Sequence, residues 1–189
     1  MSRRLFVALD LPKPVGWRLG QLIASPPRGV RSVRPVQVHL TLHVLGDVAD
    51  STHAVLTDAL ASVAHAPFAL EIRGTGVFPA RGRPTVLWAG VADSAPLTAL
   101  HAAIGDALES CGVAIERRPY VPHVTLARLT PAVPRAWTTR FLDDTSGLHL
   151  DGIPIDRFLL YDSRRRDGVT EHAVEAEFPL CRRERDAGG

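Results

Sequence analysis

The stretch "VHLTLHVLG", residues 38–46, and a later one, "PHVTLARL", residues 122–129, both contain the unit His-x-Thr-Leu. Both runs are rich in β-branched and apolar residues and carry Gly or Pro at one end, the composition expected of strands. Side chains alternate faces along a strand, so residues i and i+2 point the same way. His39 and Thr41 should therefore share one face, with Leu40, Leu42 and Val44 on the other. In the second copy His123 and Thr125 share a face, and Val124 and Leu126 lie opposite. Each strand would present one imidazole and one hydroxyl about 6–7 Å apart, on a surface backed by a packed sheet.

The two copies lie 84 positions apart (123 − 39 = 84), a spacing that suits two related lobes rather than a short tandem repeat. Working outward from them, Leu5–Leu9 reads as a strand and residues 13–24 as a helix with Val15, Leu19, Leu22 and Ile23 on one side. Residues 25–35 read as an exposed loop, and Gly46-Asp47 should end the first His-Thr strand. Residues 51–65 predict a helix capped by Ser51 or Asp50, with Val55, Leu56, Leu60 and Val63 buried. Phe68, Leu70 and Ile72 alternate as a strand, and Val86–Val91 forms another after the turn "PARGRP". Residues 95–110 are helical with Gly112 as the stop. After strand 121–129 come a short helix beyond Pro134 and strands near 154–162 and 171–179.

This order predicts an α+β fold of two pseudo-symmetric lobes, each a mainly antiparallel sheet with helices on its outer face. The paired motifs would face a central cleft. Residues 1–181 are expected to form this single bilobal domain, followed by a flexible polar tail, "RRERDAGG", at 182–189.

Two imidazoles and two hydroxyls facing one another suit phosphate ester chemistry. One imidazole can take a proton from attacking water, the other can protonate the leaving oxygen, and the hydroxyls can bond the phosphoryl oxygens. Histidine serves both tasks because its ordinary pKa, about 6.5, lies near working pH. A lone histidine on a strand is usually a surface residue, and threonine is favoured in strands without any function. The doubling of the whole unit carries the signal.

The doubled motif resembles the paired signature of the two-histidine (2H) phosphoesterases. Within them the chain is similar to the RNA 2',3'-cyclic phosphodiesterases, once described as 2'-5' RNA ligases. "RRLFVALDLP", "GVFPARGRPTVLWAGV", "YVPHVTLARL" and "LYDSRRRDG" with "EHAVEAEFPL" follow in the family's order. The resemblance implies that His39 and His123 are catalytic, His39 as general acid toward the departing 3' oxygen and His123 as general base toward water. It places Thr41 and Thr125 on the phosphate, and Arg128 beside it. Strict alternation points Arg128 away from His123, so that role needs a bulge or a strand end at Ala127. The implied reaction opens an RNA or small-nucleotide 2',3'-cyclic phosphate to a 2'-phosphate, with no metal and no cofactor. Weak reverse 2'-5' ligation is its microscopic reverse. The chain departs from the family in lacking a tryptophan just before the first motif, and in having Val44 for a common Phe and His172 for a common Tyr.

Other readings compete. A non-catalytic RNA-binding module could keep the cleft alone, and a metal-dependent hydrolase could use some of the eight histidines. Small cyclic nucleotides and 2'-5' linked oligonucleotides would offer a 2H enzyme a similar phosphate. His43, two pleats beyond His39 on the same face, reads as a rim residue that can contact substrate; about 13 Å from His39 along a strand, it cannot share a zinc with it. Tyr120 can stack on a base or serve as a core or hinge ring. Arg117 and Arg118 can attract RNA phosphates or remain solvated. Phe78, Trp88 and Phe158 are assigned to the lobe cores.

Composition sets outer bounds. Of 189 residues 46% are apolar and 22% charged, and the formal net charge of +2 does not argue for a nucleic-acid coat. Lys13 is the only lysine; the arginine bias fits either base composition or phosphate contact. Cys111 and Cys181 form neither a zinc motif nor a disulfide framework. Ser2-Arg3-Arg4 precedes an apolar run far too short for an export leader, and nothing approaches the roughly 18 apolar residues of a membrane span. A monomeric cytoplasmic protein without a membrane or obligate protein partner is expected, acting on RNA ends or small cyclic nucleotides.

Overall fold

In the computed structural model, which describes residues 2–80, 82–116, 118–166 and 169–181, the apolar run "LFVAL" lies inside a longer strand, β1 (Ser2–Asp10). The expected tail at 182–189, Arg117 and the Arg81 of the "PARGRP" turn lie outside the described residues. Helix α1 (Lys13–Gln21) begins at Lys13-Pro14, where proline's fixed φ suits a first turn. A short strand, β2 (Val30–Ser32), follows within the segment expected to be loop. Strand β3 (His39–Ala49) carries the first motif and does not stop at Gly46-Asp47: Arg3 and Ser2 of β1 go on pairing with Val48 and Ala49. Gly46 takes a positive φ of 71° and lets the strand bend there.

Helix α2 (Asp50–Ala61) starts without a side-chain cap, Asp50 lying in its first turn, and buries Leu56 and Leu60. Strands β4 (Phe68–Ala80) and β5 (Arg83–Val91) form a long hairpin. Helix α3 (Ala95–Ser110) is capped by the Ser94 hydroxyl, which accepts from the Leu97 N–H, and Gly112 follows at φ 77°. Strand β6 (His123–Leu129) holds the second motif, and helix α4 (Arg135–Asp144) follows. The single strand expected near 154–162 is two, β7 (His149–Ile155) and β8 (Arg157–Arg166), before β9 (Val169–Pro179).

Among the described residues all nine strands belong to one sheet with the order β7-β4-β5-β6-β3-β1-β8-β9, and β2 pairs with β6. The two expected sheets are thus halves of one antiparallel sheet, joined between β6 and β3, the two motif strands. Only one bridging pair, Leu40 with Val124, spans that junction among the described residues. Leu40, Leu42, Val124 and Leu126 point into the main core with Leu56, Leu60, Leu100 and Ile104 from the helices. The other face carries a separate small cluster, Phe6, Ala8, Leu159 and Tyr161. The helices cover one face and leave the motif residues on the other.

Candidate active site

The motif strands lose strict alternation at equivalent points. Across β1, Val7 pairs with His43 and Ala8 with Thr41, so Leu42 has no partner of its own. Across β5, Leu87 pairs with Ala127 and Trp88 with Thr125, which leaves Leu126 in the same situation. Each bulge falls on the leucine that closes a His-x-Thr-Leu unit. Beyond it the phase reverses: Leu42 and His43 are both buried, as are Leu126 and Ala127.

This reversal decides two residues. Arg128 emerges exposed on the face of Thr125, which meets the condition its expected role required. His43 turns the other way, which overturns its reading as a rim residue on the His39 face. It shares the face of fully buried Val7, is 5% exposed, and packs beneath Gly105 of α3.

There His43 stacks on His101 with ring centroids 4.1 Å apart, and its Nε2–H donates to the His101 carbonyl at 2.9 Å. His101 in turn stacks on Tyr120 at 3.9 Å, and the Tyr120 hydroxyl donates to the Thr41 carbonyl at 3.2 Å. Of the two readings for Tyr120, core or hinge ring describes these contacts. Arg118 is exposed and ion-paired to Glu116 at 2.6 Å, so its charge is already matched.

His39 and His123 are held alike. The His39 Nδ1–H donates to the Gln37 carbonyl at 2.8 Å, and the His123 Nδ1–H to the Val121 carbonyl at 2.8 Å. A carbonyl can only accept, so Nδ1 carries the proton in both rings and each Nε2 is left as the reacting nitrogen. Continuing the antiparallel register from Leu40–Val124 sets His39 across from Thr125 and Thr41 across from His123. The structure therefore brings all four motif side chains to one patch at the seam of the sheet.

The walls of this patch are aromatic. Around His39 stand Phe6 at 5.1 Å, His172 at 5.4 Å and Tyr161 at 6.0 Å between centroids. Phe78 meets His123 edge-on at 4.7 Å. Trp88, paired with Thr125, lies flat over Gly76, a position with no room for a Cβ. Phe78 and Trp88 thus belong to the site face and not to a core; only Phe158, fully buried, fills the core as expected. Nothing in the sequence singles out Phe6, Tyr161 and His172 as site residues, because each sits in an ordinary strand and only the succession β3-β1-β8-β9 brings it beside His39.

Electrostatics disfavour charge on His39. Burial pushes the His39 pKa down, the Gln37 hydrogen bond works against it, and charge on His123 pushes it down further. Charge on His123 thus discourages charge on His39. The His172 pKa is also lowered, by burial first and then by His39 and Arg128.

A family model described as the 2'-5' RNA ligase superfamily matches residues 21–158. A Thermus thermophilus protein named RNA 2',3'-cyclic phosphodiesterase is 37% identical over 187 residues, 94% of this chain and 90% of the relative. A Geobacillus stearothermophilus protein of the same name is 42% identical over 92 residues, a match that spans 48% of this chain and 29% of the relative's length. The crystal structure of E. coli LigT with 3'-AMP superposes with a TM-score of 0.79 at 26% identity, covering 95% of this chain and 99% of that one. With one sheet built from two halves and a His-x-Thr-Leu strand on each side of its seam, the chain belongs to the 2'-5' RNA ligase superfamily.

Proposed function

We infer that the protein hydrolyses 2',3'-cyclic phosphate ends of RNA to 2'-phosphates by metal-independent acid-base catalysis. The observation that carries this reading is the matched presentation of two Nε2 atoms, each fixed by an Nδ1–H bond to the carbonyl two residues earlier, on the two strands that meet at Leu40–Val124. Its support outside the chain is the superfamily match and relatives named RNA 2',3'-cyclic phosphodiesterase.

The chemistry follows from that presentation. Neutral His123 takes a proton from water through Nε2 as the water oxygen bonds to phosphorus. The bond from phosphorus to the 3' oxygen breaks on the opposite side, and that oxygen receives the Nε2 proton of charged His39. The product keeps phosphate on the 2' oxygen and a free 3' hydroxyl. Thr41 and Thr125 donate to the non-bridging oxygens, where charge develops, and Arg128 adds a cation from the same face. Burial makes charged His39 a stronger acid, which suits a donor. With the 5' hydroxyl of a second RNA end in place of water, the same forward steps, attack on phosphorus and release of the 3' oxygen, would join the two ends through a 2'-5' phosphodiester. The reading includes a monomer acting in the cytoplasm; among the described residues no helix is long and apolar enough to cross a membrane.

The test is turnover of a cyclic-phosphate RNA in excess chelator, with product analysis separating 2'- from 3'-phosphate. Wild type should give 2'-phosphate, and His39→Ala or His123→Ala should each lose about 10²–10⁴-fold. Unchanged rates in both variants would defeat the reading, and binding without turnover by wild type would favour a non-catalytic RNA-binding module.

A further inference from the structure

Strand β2, unforeseen in the sequence, pairs with β6 so that Arg31 stands directly opposite Arg128. Cross-strand partners in antiparallel pairs point to the same face, with Cβ atoms roughly 4.5–5.5 Å apart. Like charges so placed repel. Both side chains are exposed, and among the described residues neither guanidinium has an ion-pair partner. The backbone gives them little freedom to separate. The Val33 N–H donates to the Leu126 carbonyl at 2.8 Å, and the Thr130 N–H to the Gly29 carbonyl at 2.9 Å, which clamps β2 to β6 at both ends. The Leu126 bulge turns Arg128, and Arg31 with it, to the face of His123 and Thr125.

Two unpaired guanidiniums held side by side make a site for an anion. Their place relative to the reacting phosphate is set by register. Thr125 lies across from His39, the proton donor to the leaving oxygen, and the arginines lie three residues farther along β6, about 7–10 Å away. That distance is comparable to the separation of consecutive phosphates on a nucleic-acid strand, and its direction is past the leaving-group side of the cleft.

We propose that Arg31 binds the phosphodiester immediately upstream of the terminal cyclic phosphate, with Arg128 standing between it and the reacting phosphate, so that the enzyme acts on oligonucleotide ends in preference to mononucleotides. The inference rests on the function proposed above and names its substrate class. A nucleoside 2',3'-cyclic phosphate with a free 5' hydroxyl has no upstream phosphate and gains nothing from Arg31, whereas a short RNA ending in the same nucleotide gains a charge-assisted contact.

The experiment compares kcat/KM for a 2',3'-cyclic nucleoside monophosphate with that for a trinucleotide carrying the same cyclic end. Wild type should favour the trinucleotide, and Arg31→Ala should lower the trinucleotide-to-mononucleotide ratio about tenfold. Arg31→Lys should restore part of it, since charge remains and the planar fork does not. The slope of log(kcat/KM) against log[salt] for the trinucleotide should flatten by about 1 in Arg31→Ala. A ratio equal in wild type and Arg31→Ala would overturn the upstream subsite while leaving the catalytic reading intact. If wild type turned over neither substrate, the catalytic reading itself would fall, and this one with it.

Discussion

The Tyr120 hydroxyl donates to the carbonyl of Thr41 across 3.2 Å, tying the segment that leads into the second motif to the strand of the first. Among the described residues the sheet has one bridging pair at that seam, Leu40 with Val124. The tyrosine therefore adds a second polar link where the two halves must stay in register. Its ring also closes the stack His43–His101–Tyr120, which roots the link in α3.

Tyr120→Phe keeps the ring and removes the link. Stability should fall by about 1 kcal/mol, and kcat for a cyclic-phosphate substrate should fall more than KM changes, because the imidazoles lose relative placement rather than a substrate contact. Denaturation midpoints and steady-state kinetics check both. A large rise in KM with kcat intact would instead mean that the hydroxyl faces substrate.

His172 stands edge-on to His39 at 5.4 Å, and its Nδ1 is enclosed without a hydrogen-bond partner. An enclosed N–H without an acceptor costs more than an enclosed lone pair, so the ring proton belongs on Nε2. His172→Phe keeps the ring's bulk and removes the titrating nitrogens. Charge on His39 pushes the His172 pKa down, whereas the His39 pKa is lowered by burial and by charge on His123, so the variant should leave the His39 limb of the kcat/KM pH profile in place. Activity profiles across about pH 5–8 measure it; a limb moved upward would show that His172 carries charge beside a charged His39.

The buried stack should make the fold acid-sensitive. The His101 pKa is pushed down to about 4 by burial first and then by charge on His43, against a hydrogen bond with the Leu42 backbone. Burial lowers the His43 pKa as well. Because the folded value lies below the ordinary 6.5, His101 contributes fully above pH 6.5, and that contribution is lost as pH falls from 6.5 toward about 4. Solvent reaches the ring and screens it, so the loss is on the order of 1 kcal/mol. Melting His101→Phe beside wild type at about pH 7.5 and about pH 4.5 should give a smaller acid-induced drop in the variant.

Gly76 lies under the Trp88 ring, so Gly76→Ala must displace the indole. The expected cost is about 1–3 kcal/mol, typical of forcing extra volume into a packed contact. Trp88 is the cross-strand partner of Thr125, and turnover should therefore drop along with the melting temperature. Indole fluorescence, blue or red shifted relative to wild type, would report the moved ring.

Much of this was legible in the letters, and what was not has one main cause. Period-3.6 stripes located α3 at 95–110 to the residue, and the His-x-Thr spacing put His39 with Thr41 and His123 with Thr125. A bulge has no letter of its own. Leu42 and Leu126 look like any other strand leucine, so strict alternation sent His43 to the cleft and left Arg128 conditional. Phe78 and Trp88 read as core because large rings usually are; here they line the uncovered face. Strand β2 is three residues long and polar, and only the partner strand makes it one.

Apart from the short β2 beside β6, the half of the sheet that bears His123 is one unbroken stretch of polypeptide, β4 through β7, whereas the half that bears His39 is gathered from β1 and β3 before it and β8 and β9 after it. Leu5 must wait for Asp162. On the ribosome the inner stretch can close as it emerges, while the outer one stays open until its last two strands arrive. The strand of His39 is thus housed last, and a nascent chain stalled before Arg157 would hold His123 in place while β1, the neighbour of the His39 strand, still lacked its second partner.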